Sequence, residues 1–81
     1  MKLWIGNLAP GTTDDEIKAF VKKYAPELEC THIQREDGDG SRPAAGLEFA
    51  GTSKALGNLN LRLNGMYWKG RPLTSSLAIA P

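Results

Sequence analysis

Trp4 is the first residue in this sequence that could hold a ligand. It stands between Leu3 and Ile5 in the run KLWIGNL, Lys2 to Leu8. In a strand, neighbours point to opposite faces. Leu3 and Ile5 then share one face, and Lys2, Trp4 and Gly6 share the other. If the aliphatic pair enters a core, the indole stands on the surface. A flat ring there can stack on a nucleobase or on another aromatic side chain, and a stacked base contributes about 1–3 kcal/mol. The alternative use of the ring is structural, with a terminus or a second copy of the chain lying over it.

Other chemistry finds little support. The chain has one cysteine, Cys30, and one histidine, His32. This excludes an internal disulfide framework and the usual zinc ligand sets. No nucleophile–base pair can be argued from spacing, so the chain does not read as an enzyme. Neither GxxxxGK[ST] nor GxGxxG occurs, so there is no phosphate loop. Asp37, Asp39, Ser41 and Glu48 fall at the first, third, fifth and twelfth places of a calcium loop. Arg42 sits where that loop needs glycine, and Glu48 falls in a strand pattern, so the segment reads as a solvated turn. No cofactor and no metal are expected.

Charge narrows the partners. Ten Lys+Arg against nine Asp+Glu leave a net +1. This is not the strongly basic balance that attracts nucleic acid by charge alone. Any phosphate contact must be local and few. No stretch approaches the roughly 20 apolar residues of a membrane span, and no signal peptide is visible. A reduced, intracellular setting is expected, cytoplasmic or nuclear, with the chain as a monomer. The 81 residues make one small domain, residues 1–81.

Elements must position Trp4, and the pattern supplies them. Lys2 to Asn7 alternates as a strand, and Pro10-Gly11 breaks it. Thr13-Asp14-Asp15-Glu16 reads as a capping box opening a helix. Ile17, Phe20, Val21 and Tyr24 form its apolar stripe, with Lys18, Lys22 and Lys23 on the solvated side, and Pro26 ends it. Leu28 to Arg35 is a second strand, and Glu36 to Pro43 is a loop. Ala45, Leu47 and Phe49 alternate as a third strand. A second helix runs from Ser53 with Leu56, Leu59, Asn60 and Leu63 inward, stopping at Asn64-Gly65. MYWKGRP is a short turn region. A last strand lies near Leu73 to Ile79.

The order strand, helix, strand, strand, helix, strand is an α+β fold. It is the ferredoxin-like βαββαβ sandwich, a four-stranded antiparallel sheet with two helices on one face. The other face has no cover. With the apolar alternation turned to the helices, that open face carries Lys2, Trp4 and Gly6, then Cys30, His32 and Gln34. It also carries Arg42, Ala44, Gly46 and Glu48 from the third strand, and Thr74, Ser76 and Ala78 from the fourth. A one-residue slip would bury Trp4, His32 and Glu48 and expose Leu3, Ile5 and Phe49, which is far less favourable. This architecture also serves acyl-phosphate hydrolases and copper chaperones. Their Arg-bearing glycine loop and cysteine pair are absent here.

Over essentially its full length the chain resembles the RNA recognition motif (RRM) family. LWIGNL is similar to the family's first-strand motif. LNGMYWKGRPLTSSLA, Leu63 to Ala78, is similar to its LNG, hairpin, GR-x-L ending. The third strand departs. The family pattern is K/R-G-F/Y-G/A-F-V-x-F/Y, and this chain has RPAAGLEF, Arg42 to Phe49. Ala44 and Gly46 replace the two stacking aromatics, and Pro43 stands where glycine is usual.

The resemblance implies single-stranded RNA as partner, bound weakly on the open face. Trp4 would be the main stacking platform. Lys2 and Arg42 would approach phosphates, and Asn7, His32, Gln34, Thr74 and Ser76 would offer hydrogen bonds to base edges. Ala44 and Gly46 would leave a shallow depression beside Trp4. A protein partner could fill that depression as well as a base could. The acidic Glu36, Asp37, Asp39 and Glu48 suit such a partner better than RNA, so an interaction module is the second reading.

Overall fold

A computed structural model describes residues 2–78. The elements run β1 (Lys2–Gly6), α1 (Asp14–Tyr24), β2 (Glu29–Glu36), β3 (Ala44–Ala50), α2 (Ser53–Leu63), β4 (Tyr67–Trp68), β5 (Arg71–Pro72) and β6 (Thr74–Ala78). Ile79, the expected end of the last strand, lies outside the described residues. The main sheet has the order β2-β3-β1-β6 with every neighbour antiparallel, and β4-β5 forms a separate hairpin. This is the ferredoxin-like βαββαβ fold.

Each element follows from local chemistry. At the start of α1 the Thr13 hydroxyl accepts from the Glu16 N–H, and the Glu16 carboxylate accepts from the Thr13 N–H, completing the capping box. Asp14, Asp15 and Glu16 sit at the positive end of the helix dipole, and Lys22 and Lys23 at the negative end. Thr52 caps α2 by accepting from the Ala55 N–H. Lys69 and Gly70 both take positive φ, 53° and 80°, which suits the tight turn of a two-residue hairpin.

Alternation then sorts the faces. Leu3, Ile5, Ala45 and Leu47 are fully covered and meet Ile17, Val21, Leu56, Leu59 and Leu63 from the helices. Trp68 turns the β4-β5 hairpin onto α1. Its ring stacks on Phe20 with centroids 4.3 Å apart and planes 18° apart, and Phe20 meets Tyr24 edge to face. On the last strand the Ser75 hydroxyl donates to Asn60 of α2, and its N–H donates to Asn64, which caps the end of that helix. That explains why a polar residue lies in the inner stripe of α2.

Two expectations fail here for a backbone reason. Cys30 was expected on the open face with His32 and Gln34. A β-bulge lies between Cys30 and His32, so Cys30 pairs with Phe49 while His32 pairs with Glu48. The extra residue, Thr31, reverses the alternation before it. Cys30 is therefore half-buried against the core on the helix side. Arg42 was expected on the third strand. That strand begins only at Ala44, and Arg42 stands in the preceding loop, separated by the buried Pro43. The Pro43 carbonyl accepts from the Leu8 N–H instead of entering a ladder.

Candidate nucleic-acid interface

Three rows of side chains cross the open face. The central row is Gln34, Gly46, Trp4 and Ser76, aligned across β2, β3, β1 and β6. On one side lie His32, Glu48, Lys2 and Ala78. On the other side Glu36 pairs with Ala44, and Gly6 with Thr74.

Trp4 is the centre of the face, and Gly46 explains its pose. A Cβ added to Gly46 would lie 3.0 Å from Trp4 Cη2, 3.1 Å from Cε2 and 2.9 Å from Lys2 Cδ. The indole and the lysine stem thus lie over the bare backbone of β3, and Gly46 is buried although it belongs to the open face. The shallow depression expected beside Trp4 is filled by Trp4 itself. The ring stays partly exposed.

Lys2 and Gln34 frame the ring. The Lys2 ammonium lies 5.5 Å from the Trp4 ring centroid and donates to Gln34 Oε1 at 2.9 Å. Gln34 Nε2 donates to Glu36 Oε1 at 3.1 Å. A polar line therefore runs from Lys2 through Gln34 to Glu36. Glu36 lies beyond the expected end of the second strand, and the structure extends β2 to include it. His32, Glu48, Thr74 and Ser76 are exposed on the same face. The Thr74 hydroxyl sits over Gly6, 2.5 Å from where a Cβ would stand, so a side chain at residue 6 would require the Thr74 hydroxyl to turn away.

Asn7 has a structural task that its spacing did not show. It leaves β1 at φ 59°, a left-handed conformation that asparagine tolerates. Its Nδ2 donates to the Pro72 carbonyl at 2.9 Å, tying the end of β1 to the hairpin. This bond gives the amide a structural role.

The remaining cations near this end are largely committed. Arg35 donates to the Thr12 carbonyl and pairs with Asp14 at 2.9 Å and Asp37 at 2.8 Å. Arg71 donates to the Leu8 carbonyl at 3.1 Å and the Ser41 carbonyl at 2.7 Å, holding two loops together. Lys69 pairs with Glu16. Sequence spacing showed none of the long-range ties, because Asp14 lies 21 residues from Arg35 and Ser41 lies 30 from Arg71. Arg42 is exposed and makes no ion pair among the described residues. Cys30 is excluded from the face. Its thiol is pushed up in pKa by burial and donates to the His32 carbonyl at 3.4 Å, so it is a poor nucleophile.

The face therefore offers one aromatic surface, a lysine over it, and hydrogen-bonding groups of both kinds around it. No helix among the described residues is long and apolar enough to cross a membrane. Comparison with solved structures shows the fold again. The structure of Pes4 RRM3 superposes with a TM-score of 0.82 at 21% identity, covering 99% of this chain and 93% of that one. No curated protein sequence matches the chain significantly. The RNA recognition motif family profile matches residues 3–74, which take in β1 from Leu3, both helices, β2, β3, the hairpin and the first residue of β6. With that match over most of its length, the chain belongs to the RNA recognition motif family, a family of RNA-binding modules.

Proposed function

We propose that the open sheet face binds single-stranded RNA weakly, with Trp4 as its stacking platform. One observation carries the reading. Trp4 lies over Gly46 on an uncovered sheet face, partly exposed, with the Lys2 ammonium 5.5 Å from its ring centroid. Single-stranded bases are held by such stacking, and their edges are then read by neighbouring polar groups. His32, Thr74 and Ser76 on the same face supply those groups, Gln34 does so by releasing Lys2 or Glu36, and Lys2 and Arg42 reach phosphates. Weakness follows from Ala44 and Gly46, which contribute no ring, and from the commitment of Arg35, Arg71 and Lys69 elsewhere.

The test is an NMR titration with randomised short single-stranded RNA at low salt, following both indole N–H signals. The Trp4 signal and the sheet amides should move, and Trp68, stacked on Phe20, should not. Trp4→Ala should weaken binding by about tenfold or more, the equivalent of one lost stack. Submicromolar affinity at physiological salt that survives Trp4→Ala would refute the reading.

A second reading is favoured by the charge of the face. Glu36 and Glu48 lie on it, and Asp37 and Asp39 lie in the adjoining loop, all exposed. A basic peptide would find this surface complementary. Silence of every signal at near-millimolar RNA, with shifts on adding a lysine-rich peptide, would move the assignment to a protein partner.

A further inference from the structure

An acidic residue near the middle of an RNA-binding face needs an explanation. Glu48 is exposed on β3 and pairs in register with Lys2 on one side and His32 on the other. Its carboxylate makes no ion pair among the described residues, because the Lys2 ammonium reaches to Gln34 and lies over Trp4. Facing a phosphate, this carboxylate would repel. Facing a base edge, it accepts hydrogen bonds. The position is therefore compatible with RNA only where a base presents N–H donors.

The geometry selects among bases. Directly opposed residues on one face hold their Cβ atoms about 4.5–5.5 Å apart, so Lys2 and Glu48 form adjacent donor and acceptor positions. Both lie one row from the Trp4–Gly46 pair. A base that stacks on Trp4 displaces the Lys2 ammonium from over the ring, and then has that ammonium and the Glu48 carboxylate along one edge. A carboxylate accepts through two oxygens and donates through neither. Uracil offers one N–H between two carbonyls, so one carboxylate oxygen would oppose a carbonyl oxygen. Adenine and cytosine each offer one amino group beside a ring nitrogen acceptor. Guanine offers N1–H and the N2 amino group side by side, one for each carboxylate oxygen. It also places O6 next to N1, where an ammonium can donate.

We propose that Lys2, Trp4 and Glu48 form a guanine-selective subsite on the sheet. This rests on the RNA-binding reading and adds the base to it. Trp4 supplies the stack, Glu48 accepts from N1–H and N2–H, and Lys2 donates to O6.

The test uses the pentanucleotides UUGUU, UUAUU, UUCUU and UUUUU, each too short to fold. They are titrated into the wild-type protein and into Glu48→Ala, following the Trp4 indole N–H. Glu48 is exposed and bears no structural side-chain bond, so the variant keeps the fold, which its amide spectrum verifies. In the wild type UUGUU should bind about tenfold more tightly than UUUUU, as one bidentate base contact provides. In Glu48→Ala that preference should vanish, with UUUUU binding no more weakly than before. Equal binding of UUUUU and UUGUU to the wild type, or a guanine preference that persists in Glu48→Ala, overturns the subsite while leaving RNA binding in place. If no pentamer moves Trp4, the RNA reading itself falls and the subsite falls with it.

Discussion

Several single residues in this protein have their roles set by what lies next to them. Gly46 is an absence of side chain, and that absence lets Trp4 and Lys2 lie over β3. Asn7 matches the first-strand motif in sequence, yet it works as a tie to Pro72. Glu16 acts twice, capping α1 and pairing with Lys69 of the hairpin. The Lys69 hydrogen bond, then the Thr13 N–H, hold its carboxyl below the usual carboxylate range. A carboxyl whose folded pKa is lowered stabilises the fold above its unfolded value, near 4.3, and that stability is lost as pH falls through the folded value. Thermal melts between about pH 6 and pH 3 should therefore show a fall in midpoint that is shallower in Glu16→Gln. Equal slopes for the two proteins would show that the ion pair contributes nothing.

At the scale of elements, the decisive features are the hairpin and the bulge. The hairpin has two short strands and cannot be stable alone. It is fixed by Trp68 on Phe20 and by Lys69 on Glu16. Trp68→Ala should cost about 2 kcal/mol in urea unfolding, less than for a fully buried ring because Trp68 stays partly exposed. A loss below about 0.5 kcal/mol would mean that the hairpin docks by other contacts. The bulge at Thr31 has a comparable reach, since it turns Cys30 from the open face to the helix side. Capping and apolar stripes made both helices legible in the sequence. The bulge was not legible, because a period-two reading has no term for an extra residue.

For the whole molecule, the question is where its positive charge can act. The net +1 is distributed unevenly. Lys18, Lys22 and Lys23 on α1 and Lys54 and Arg62 on α2 are exposed away from the open face, while Arg35, Lys69 and Arg71 are tied to carboxylates or carbonyls. Lys2 and Arg42 remain to meet phosphates. Two contacts predict a slope of log K against log salt of about −1.4, and about −0.7 where Lys2 donates to a guanine O6 instead, taking roughly −0.7 per phosphate on a single strand. Filter binding or fluorescence anisotropy across a salt series measures it. A slope steeper than about −4 would show that the helix lysines also contact RNA, and would place part of the strand on the other side of the protein.

The amino-acid sequence by itself determined the fold and the face. Leu3, Ile5, Ala45 and Leu47 can be buried together in only one register, and burying them leaves Trp4 outside. That is a consequence of hydrophobic alternation, which is a local property of the chain. The tertiary structure decided which polar groups remain available on that face. Arg35, Arg71 and Asn7 are drawn into contacts with residues 21 to 65 positions away, and Trp4 lies down where Gly46 gives it room. Such pairings arise from proximity after folding, and no spacing along the chain records them.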